Sequence, residues 1–121
     1  MTTFKKKKIL LAEDDSSMRR FIEIILQKAG FDVLTAEDGL AAMQLALDLE
    51  IDAVVADAVM PNMSGYDLCR MLRAHFAEKR IPCIILSGLA ENNSENNLAD
   101  IFLLKDTDLK EQLVAALQKL L

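Results

Sequence analysis

The stretch Ala53-Val54-Val55-Ala56-Asp57-Ala58-Val59-Met60-Pro61, followed shortly by Ser64-Gly65, decides how this chain folds. Its first four residues are all apolar and too short a run for a helix, which reads as a strand covered on both faces. The strand ends on a carboxylate. An ionised carboxylate at the end of a buried strand is costly unless it is solvated, paired or bound to a metal. An earlier run, Ile9-Leu10-Leu11-Ala12, ends in the same way on Glu13-Asp14-Asp15. Two such ends in one chain of 121 residues suggest carboxylates that converge on one site.

Working outward, three further apolar runs read as strands: Val33 to Ala36, Cys83 to Leu86 and Ile101 to Leu104. The Val33 run is the most mixed and is expected at a sheet edge. Helical patterns alternate with the strands, which predicts an α/β fold: a parallel sheet with helices on both faces. The first helix carries Met18, Phe21, Ile22, Ile25 and Ala29 on one stripe, with Gly30 placed to end it. The second runs from about Gly39 to Leu49 and is expected to turn Leu40, Met43 and Leu47 inward. The third opens at Ser64-Gly65-Tyr66-Asp67, a start like a capping box, and presents Leu68, Met71 and Leu72. The last begins at Asp108 and carries Leu109, Leu113, Leu117 and Leu120. Between Ser87 and Ile101 the chain is polar and rich in Asn, which prefers caps and turns. A fourth helix there is expected to be short or irregular.

The length predicts one domain, 1–121, and the 52% apolar content, with only 5% aromatic, predicts a core of aliphatic side chains and Met. A net charge of -5 argues against direct nucleic-acid binding, whose footprint is basic. Lys5 to Lys8 form the one basic run and read as a solvated lead-in. No apolar stretch approaches the roughly 20 residues that cross a bilayer, and no secretory leader is recognisable. A cytoplasmic setting is therefore expected. Cys69 and Cys83 have no metal-ligand spacing and read as small core packers with free thiols.

In an open parallel sheet, ligands bind beyond the carboxyl ends of the strands. Glu13, Asp14, Asp57, Ser87 and Lys105 each follow such an end within two positions and would share one edge. Three carboxylates in one crevice repel unless a cation intervenes. Mg²⁺ suits them, because it is held by one or two carboxylates together with waters and phosphate oxygens. Asp14 and Asp57 are the best direct ligands, Glu13 an outer partner through water, and the Val59 backbone carbonyl a further donor. A carboxylate so placed can act as a nucleophile and form an aspartyl phosphate. Lys105 would supply positive charge to the phosphoryl oxygens and Ser87 a hydroxyl donor. His75, among charged neighbours, reads as a surface residue of the third helix.

These residues resemble the receiver domain of two-component response regulators over nearly the whole chain. The resemblance rests on Glu13-Asp14, on Asp57 with Met60-Pro61 and Gly65, on Ser87 and on Lys105, all in order at family-like spacing. It implies a flavodoxin-like, doubly wound five-stranded sheet in the order 2-1-3-4-5 with five helices. It also implies that Asp57 is the phosphoacceptor and that Asp14, Asp57 and the Val59 carbonyl bind Mg²⁺, with Glu13 outside them. Ser87 and Phe102 would be the switch pair that repositions an output surface. The phosphoryl donor would be a histidine kinase or phosphotransfer protein, and the recipient of the signal a downstream protein or an effector domain. Such a domain is not an enzyme beyond its own phosphoryl transfer and slow dephosphorylation. Two departures stand out: Asp106 follows Lys105 where the family usually has proline, and the interval from Ser87 to Lys105 is shorter by about one helical turn. They motivate an alternative, a degenerate receiver that docks proteins without phosphorylation. A phosphohydrolase using an aspartyl phosphate is disfavoured, because Val59 occupies the position where such enzymes carry a second Asp as general acid.

Overall fold

Each of the five apolar runs forms a strand in a computed structural model of the chain, which describes residues 5–88 and 99–121. In chain order the elements are β1 (Lys8–Ala12), α1 (Ser16–Lys28), β2 (Asp32–Ala36), α2 (Gly39–Asp48), β3 (Ala53–Asp57), α3 (Gly65–His75), β4 (Cys83–Ser87), β5 (Ile101–Leu104) and α4 (Leu109–Leu120). All strand pairs are parallel, in the order β2-β1-β3-β4-β5. The mixed Val33 run is an edge strand, as its composition predicts. The helix expected within the Asn-rich segment lies largely outside the described residues, so four helices are described rather than five.

Strand alternation divides the core in two. Leu10, Val54, Ala56 and Ile85 face one side of the sheet and pack with Met43, Tyr66, Leu68 and Leu72 from α2 and α3. Ile9, Leu11, Val55, Ile84 and Leu86 face the other side and pack with Ile22, Leu26, Leu113 and Leu117 from α1 and α4. The three central strands are buried except Lys8, whereas the two edge strands are partly exposed.

Local sequence sets the helix ends. Asp15 Oδ2 accepts the Met18 N–H at 2.8 Å and Asp38 Oδ1 the Ala41 N–H at 2.8 Å, each satisfying one orphan donor of a first turn. Ser64 Oγ accepts from the Asp67 N–H at 3.1 Å, while Asp67 itself pairs with Arg70 instead of closing a reciprocal box. Asp108 stands at the start of α4 without a side-chain cap bond; Asp106 Oδ1 accepts its N–H at 3.0 Å. Gly30, just beyond α1, has φ +97°, a left-handed conformation that glycine adopts without steric penalty.

The buried faces differ from the simplest apolar reading. Phe21, Leu40, Leu47 and Met71 all point outward, while Met43, Leu68 and Leu72 are buried as expected and share the inner faces with small residues, Ala42 and Ala46 on α2 and Cys69 on α3. α2 comes so close to the β3–α3 loop that a Cβ on Gly39 would lie 2.6 Å from the Met63 Cβ. At that separation no side chain fits at position 39. Leu120 is only partly buried. Cys69 and Cys83 are free thiols in the core, and His75 is exposed in the last turn of α3, both as expected.

At the end of the sheet away from Asp57, Asp100 organises a polar knot that apolar periodicity does not reveal. Its carboxylate accepts from Arg73 at 3.0 Å, Arg80 at 2.8 Å and the Cys83 N–H at 2.8 Å. Burial pushes this carboxyl up, but the Cys83 N–H and the two guanidinium groups outweigh it and hold the group below the usual Asp range. A depressed carboxyl contributes stability above its unfolded pKa and loses it as pH falls through the folded value. Asp100→Asn is therefore expected to lower stability by about 1–3 kcal/mol at pH 7, with the gap closing below about pH 4. Denaturant titrations of both proteins across that range measure it.

Candidate functional site

The sheet register brings the strand ends together. Ala12 pairs with Ala56, so Glu13 and Asp57 leave adjacent strands side by side. Asp57 pairs with Leu86, which puts Ser87 one step further along the same edge. Ser87 pairs with Leu104, and the Lys105 N–H donates to the Ser87 carbonyl at 2.8 Å, which carries Lys105 to that edge as well. The five residues singled out from the sequence thus meet at the carboxyl ends of β1, β3, β4 and β5.

Lys105 is the electrostatic centre of this group. Its Nζ lies 2.8 Å from Glu13 Oε2 and 3.0 Å from Asp57 Oδ2. The Glu13 side chain is 1% exposed, that of Asp57 12% and that of Lys105 15%, so these charges interact through little water. Burial raises the Glu13 pKa above the ordinary value and the Asp57 charge adds to the rise, against the opposing pull of Lys105. Burial alone would lower the Lys105 pKa, but its bonds to Glu13 and Asp57 prevail and hold it above the normal lysine value. The ammonium therefore stays protonated throughout the neutral range.

Asp14 differs from its neighbours. It is exposed, and among the described residues its carboxylate has no partner. Oxygen atoms of Glu13, Asp14 and Asp57 nevertheless lie within 4.8 Å of one another. An octahedral ion with bonds of ~2.1 Å holds its oxygens up to about 4.2 Å apart, so the set suits a hard divalent cation after a small contraction. Glu13 is already engaged at both oxygens, by Lys105 and, at 3.3 Å, by the Asp15 N–H. Asp57 likewise faces Lys105 at one oxygen and the Val59 N–H at the other, which leaves Asp14 the carboxylate most open to a cation. Val59 projects its side chain outward at 70% exposure, and its N–H faces Asp57 Oδ1 at 3.5 Å.

Three residues support the cluster, of which Arg19 alone went unmarked in the sequence. Gly65 permits the first turn of α3 to lie against β3, since a Cβ there would run into the Asp57 carbonyl oxygen. Its N–H donates to the Ala58 carbonyl at 3.2 Å. Arg19 of α1 donates from Nη1 to the Glu13 carbonyl at 2.9 Å. Asp15 both caps α1 and ties its own N–H to Glu13. The only sequence signal for Arg19 is its place one helical turn past an acidic run. Phe102 does not join the cluster. It sits opposite Ile85 on β5 and packs, partly buried, on the core side shared with α2 and α3. Ser87 is buried at the edge of the cluster. No peptide bond among the described residues is cis, so Lys105–Asp106 is trans.

Comparison with known proteins places this geometry. A family model for the response regulator receiver domain matches residues 9–118. Among curated proteins, the chain is 41% identical over 87 residues to the probable transcriptional regulator ycf27 of Galdieria sulphuraria, covering 72% of this chain and 33% of that protein. It is 31% identical over 110 residues to the DNA-binding dual master transcriptional regulator RpaA of Synechocystis, covering 88% of this chain and 46% of that one. The chain thus spans less than half the length of these relatives. Among solved structures, the response regulator TrrA of Thermotoga maritima in complex with Mg²⁺-BeF superposes with a TM-score of 0.87 at 26% identity, over 95% of this chain and 99% of that one. The chemotaxis protein CheY4 of Vibrio cholerae superposes with a TM-score of 0.88 at 29% identity, over 97% and 100% of the two chains.

Proposed function

The chain belongs to the response regulator receiver family, and from that premise we propose that residues 1–121 form one phosphoacceptor domain in which Asp57 takes a phosphoryl group from a histidine kinase or phosphotransfer protein. The observation that carries this reading is Lys105 held between Glu13 and Asp57, beside an Asp14 carboxylate that has no partner among the described residues. An Asp57 oxygen attacks phosphorus, its new O–P bond forms as the donor's N–P bond breaks, and the donor imidazole leaves. Asp14, Asp57 and the Val59 carbonyl would hold Mg²⁺, with Glu13 as the outer partner. When bound, that ion neutralises charge on the transferring oxygens. Lys105 supplies a positive charge held beside the acceptor oxygen, within reach of the phosphoryl oxygens that arrive there.

The Ser87 hydroxyl is the proposed donor to the phosphoryl group once it is in place, and Phe102 the ring that follows it. The output surface is then proposed on the side of β5 and α4. With its net charge of -5, the domain is read as signalling to a protein partner or an attached effector domain, and not as touching nucleic acid itself. No described helix is long and apolar enough to cross a membrane. Intact mass after incubation with a small-molecule phosphodonor tests the reading. The expected result is a single phosphoryl addition that requires Mg²⁺ and disappears in Asp57→Asn. A protein that gains no phosphoryl group, yet still binds its partner equally well as Asp57→Ala, would instead be a docking module.

A further inference from the structure

Asp14 has no described partner of its own, so its position depends on the two peptide groups that flank it. The peptide after it is anchored where the Asp15 N–H donates to Glu13 Oε1 at 3.3 Å. The peptide before it is anchored where the Glu13 carbonyl accepts from Arg19 Nη1 at 2.9 Å. The strand side of Glu13 is fixed separately, by its N–H on the Ala36 carbonyl at 3.1 Å. Of these anchors, Arg19 alone comes from a side chain outside the acidic run. It reaches back from the first turn of α1 and is itself partly buried. The neighbouring Arg20 turns to the surface and pairs with Glu23 at 2.8 Å, so the two arginines do different things.

From this arrangement we infer that Arg19 is a positioning residue for the Asp14 carboxylate, and that it sets how tightly the acidic crevice takes a divalent cation. The inference rests on the reading of Asp14 as a ligand. Two effects of Arg19 oppose each other, which makes them separable. Its charge near the crevice disfavours a cation, so loss of charge alone would tighten binding. Its bond to the Glu13 carbonyl orients the turn that carries Asp14, so loss of the bond weakens binding, as it does for outer partners of metal sites.

The test is calorimetric titration with Mg²⁺ alone on the whole chain, together with amide hydrogen exchange of the metal-free protein. Arg19→Met, which removes both charge and donor at similar length, is expected to weaken Mg²⁺ about tenfold and to speed exchange at the Asp15 amide. Arg19→Lys, which keeps a charged donor, is expected to restore most of the affinity. Affinity unchanged or tightened in Arg19→Met would overturn the inference, as would equal weakening in both variants. Asp14→Asn provides the separating control. Unaltered Mg²⁺ affinity there would remove the ligand reading itself, whereas weakening in Asp14→Asn with none in Arg19→Met would sink only the role given to Arg19.

Discussion

Lys105→Met is expected to cost the fold about 2–4 kcal/mol at pH 7 and to slow phosphorylation of Asp57 on the order of a hundredfold. The stability loss follows from what the substitution leaves behind. Glu13 would remain a buried carboxylate with Asp57 beside it and no cation between them. Stranding one partner of a fully buried pair costs about 3–5 kcal/mol, and the partial exposure of Asp57 and Lys105 moves the figure down. The pH dependence has a definite sign. Glu13 already sits above the ordinary glutamate pKa through burial and the Asp57 charge, and removal of Lys105 raises it further. A raised carboxyl is penalised above its folded pKa and relieved once it protonates, so the gap between variant and parent should narrow as pH falls toward the ordinary glutamate pKa of about 4.3. Denaturant unfolding at several pH values measures the first effect and phosphorylation kinetics the second.

The second large effect is expected at Gly65. An added Cβ meets the Asp57 carbonyl oxygen, comes within 3.0 Å of the Asp57 carbonyl carbon and lies 3.1 Å from Ile85 Cδ1. The first two obstacles are backbone atoms of a central strand and cannot rotate aside. Gly65→Ala should therefore destabilise the protein by about 2–3 kcal/mol, the upper part of the range for overpacking a dense interior. Because the atom it displaces belongs to Asp57, cation affinity and phosphorylation should fall even where the protein stays folded. Thermal unfolding and Mg²⁺ titration of the same variant separate these consequences.

Strand positions and the shared edge were legible because a parallel sheet covered on both faces leaves a plain trace. Its strands are short unbroken apolar runs, and polar residues appear where they end. Ala53–Asp57 and the turn after Ala12 carry that trace without ambiguity. Helix faces were less legible. α2 meets the β3–α3 loop at Gly39 and buries Ala42, Met43 and Ala46, while Leu40 and Leu47 lie outside. A pattern that equates large apolar residues with the interior places Met43 correctly on such a helix but misplaces Leu40 and Leu47. Asp100 was hidden for a different reason. It ends a polar Asn-rich stretch, and its partners Arg73, Arg80 and Cys83 come from separate parts of the chain. The same holds for Lys105 and Glu13, which are 92 residues apart and meet only once four strands are in register. Glu13 was expected only as an outer partner of a cation; its ion pair with Lys105 gives it a second task in the metal-free protein.

The central claim is that the ends of β1, β3 and β5 make Asp57 a nucleophile toward phosphorus. The most direct measurement is to phosphorylate the protein with a small phosphodonor and Mg²⁺, reduce the acyl phosphate with borohydride, and locate the modified residue by peptide sequencing in the mass spectrometer. Homoserine is expected at position 57, with no reduced side chain at any other acidic residue and none formed when Mg²⁺ is withheld. Homoserine at Asp14, 5-hydroxynorvaline at Glu13, or an unmodified Asp57 after prolonged exposure to donor and Mg²⁺ would contradict Asp57 as the phosphoacceptor.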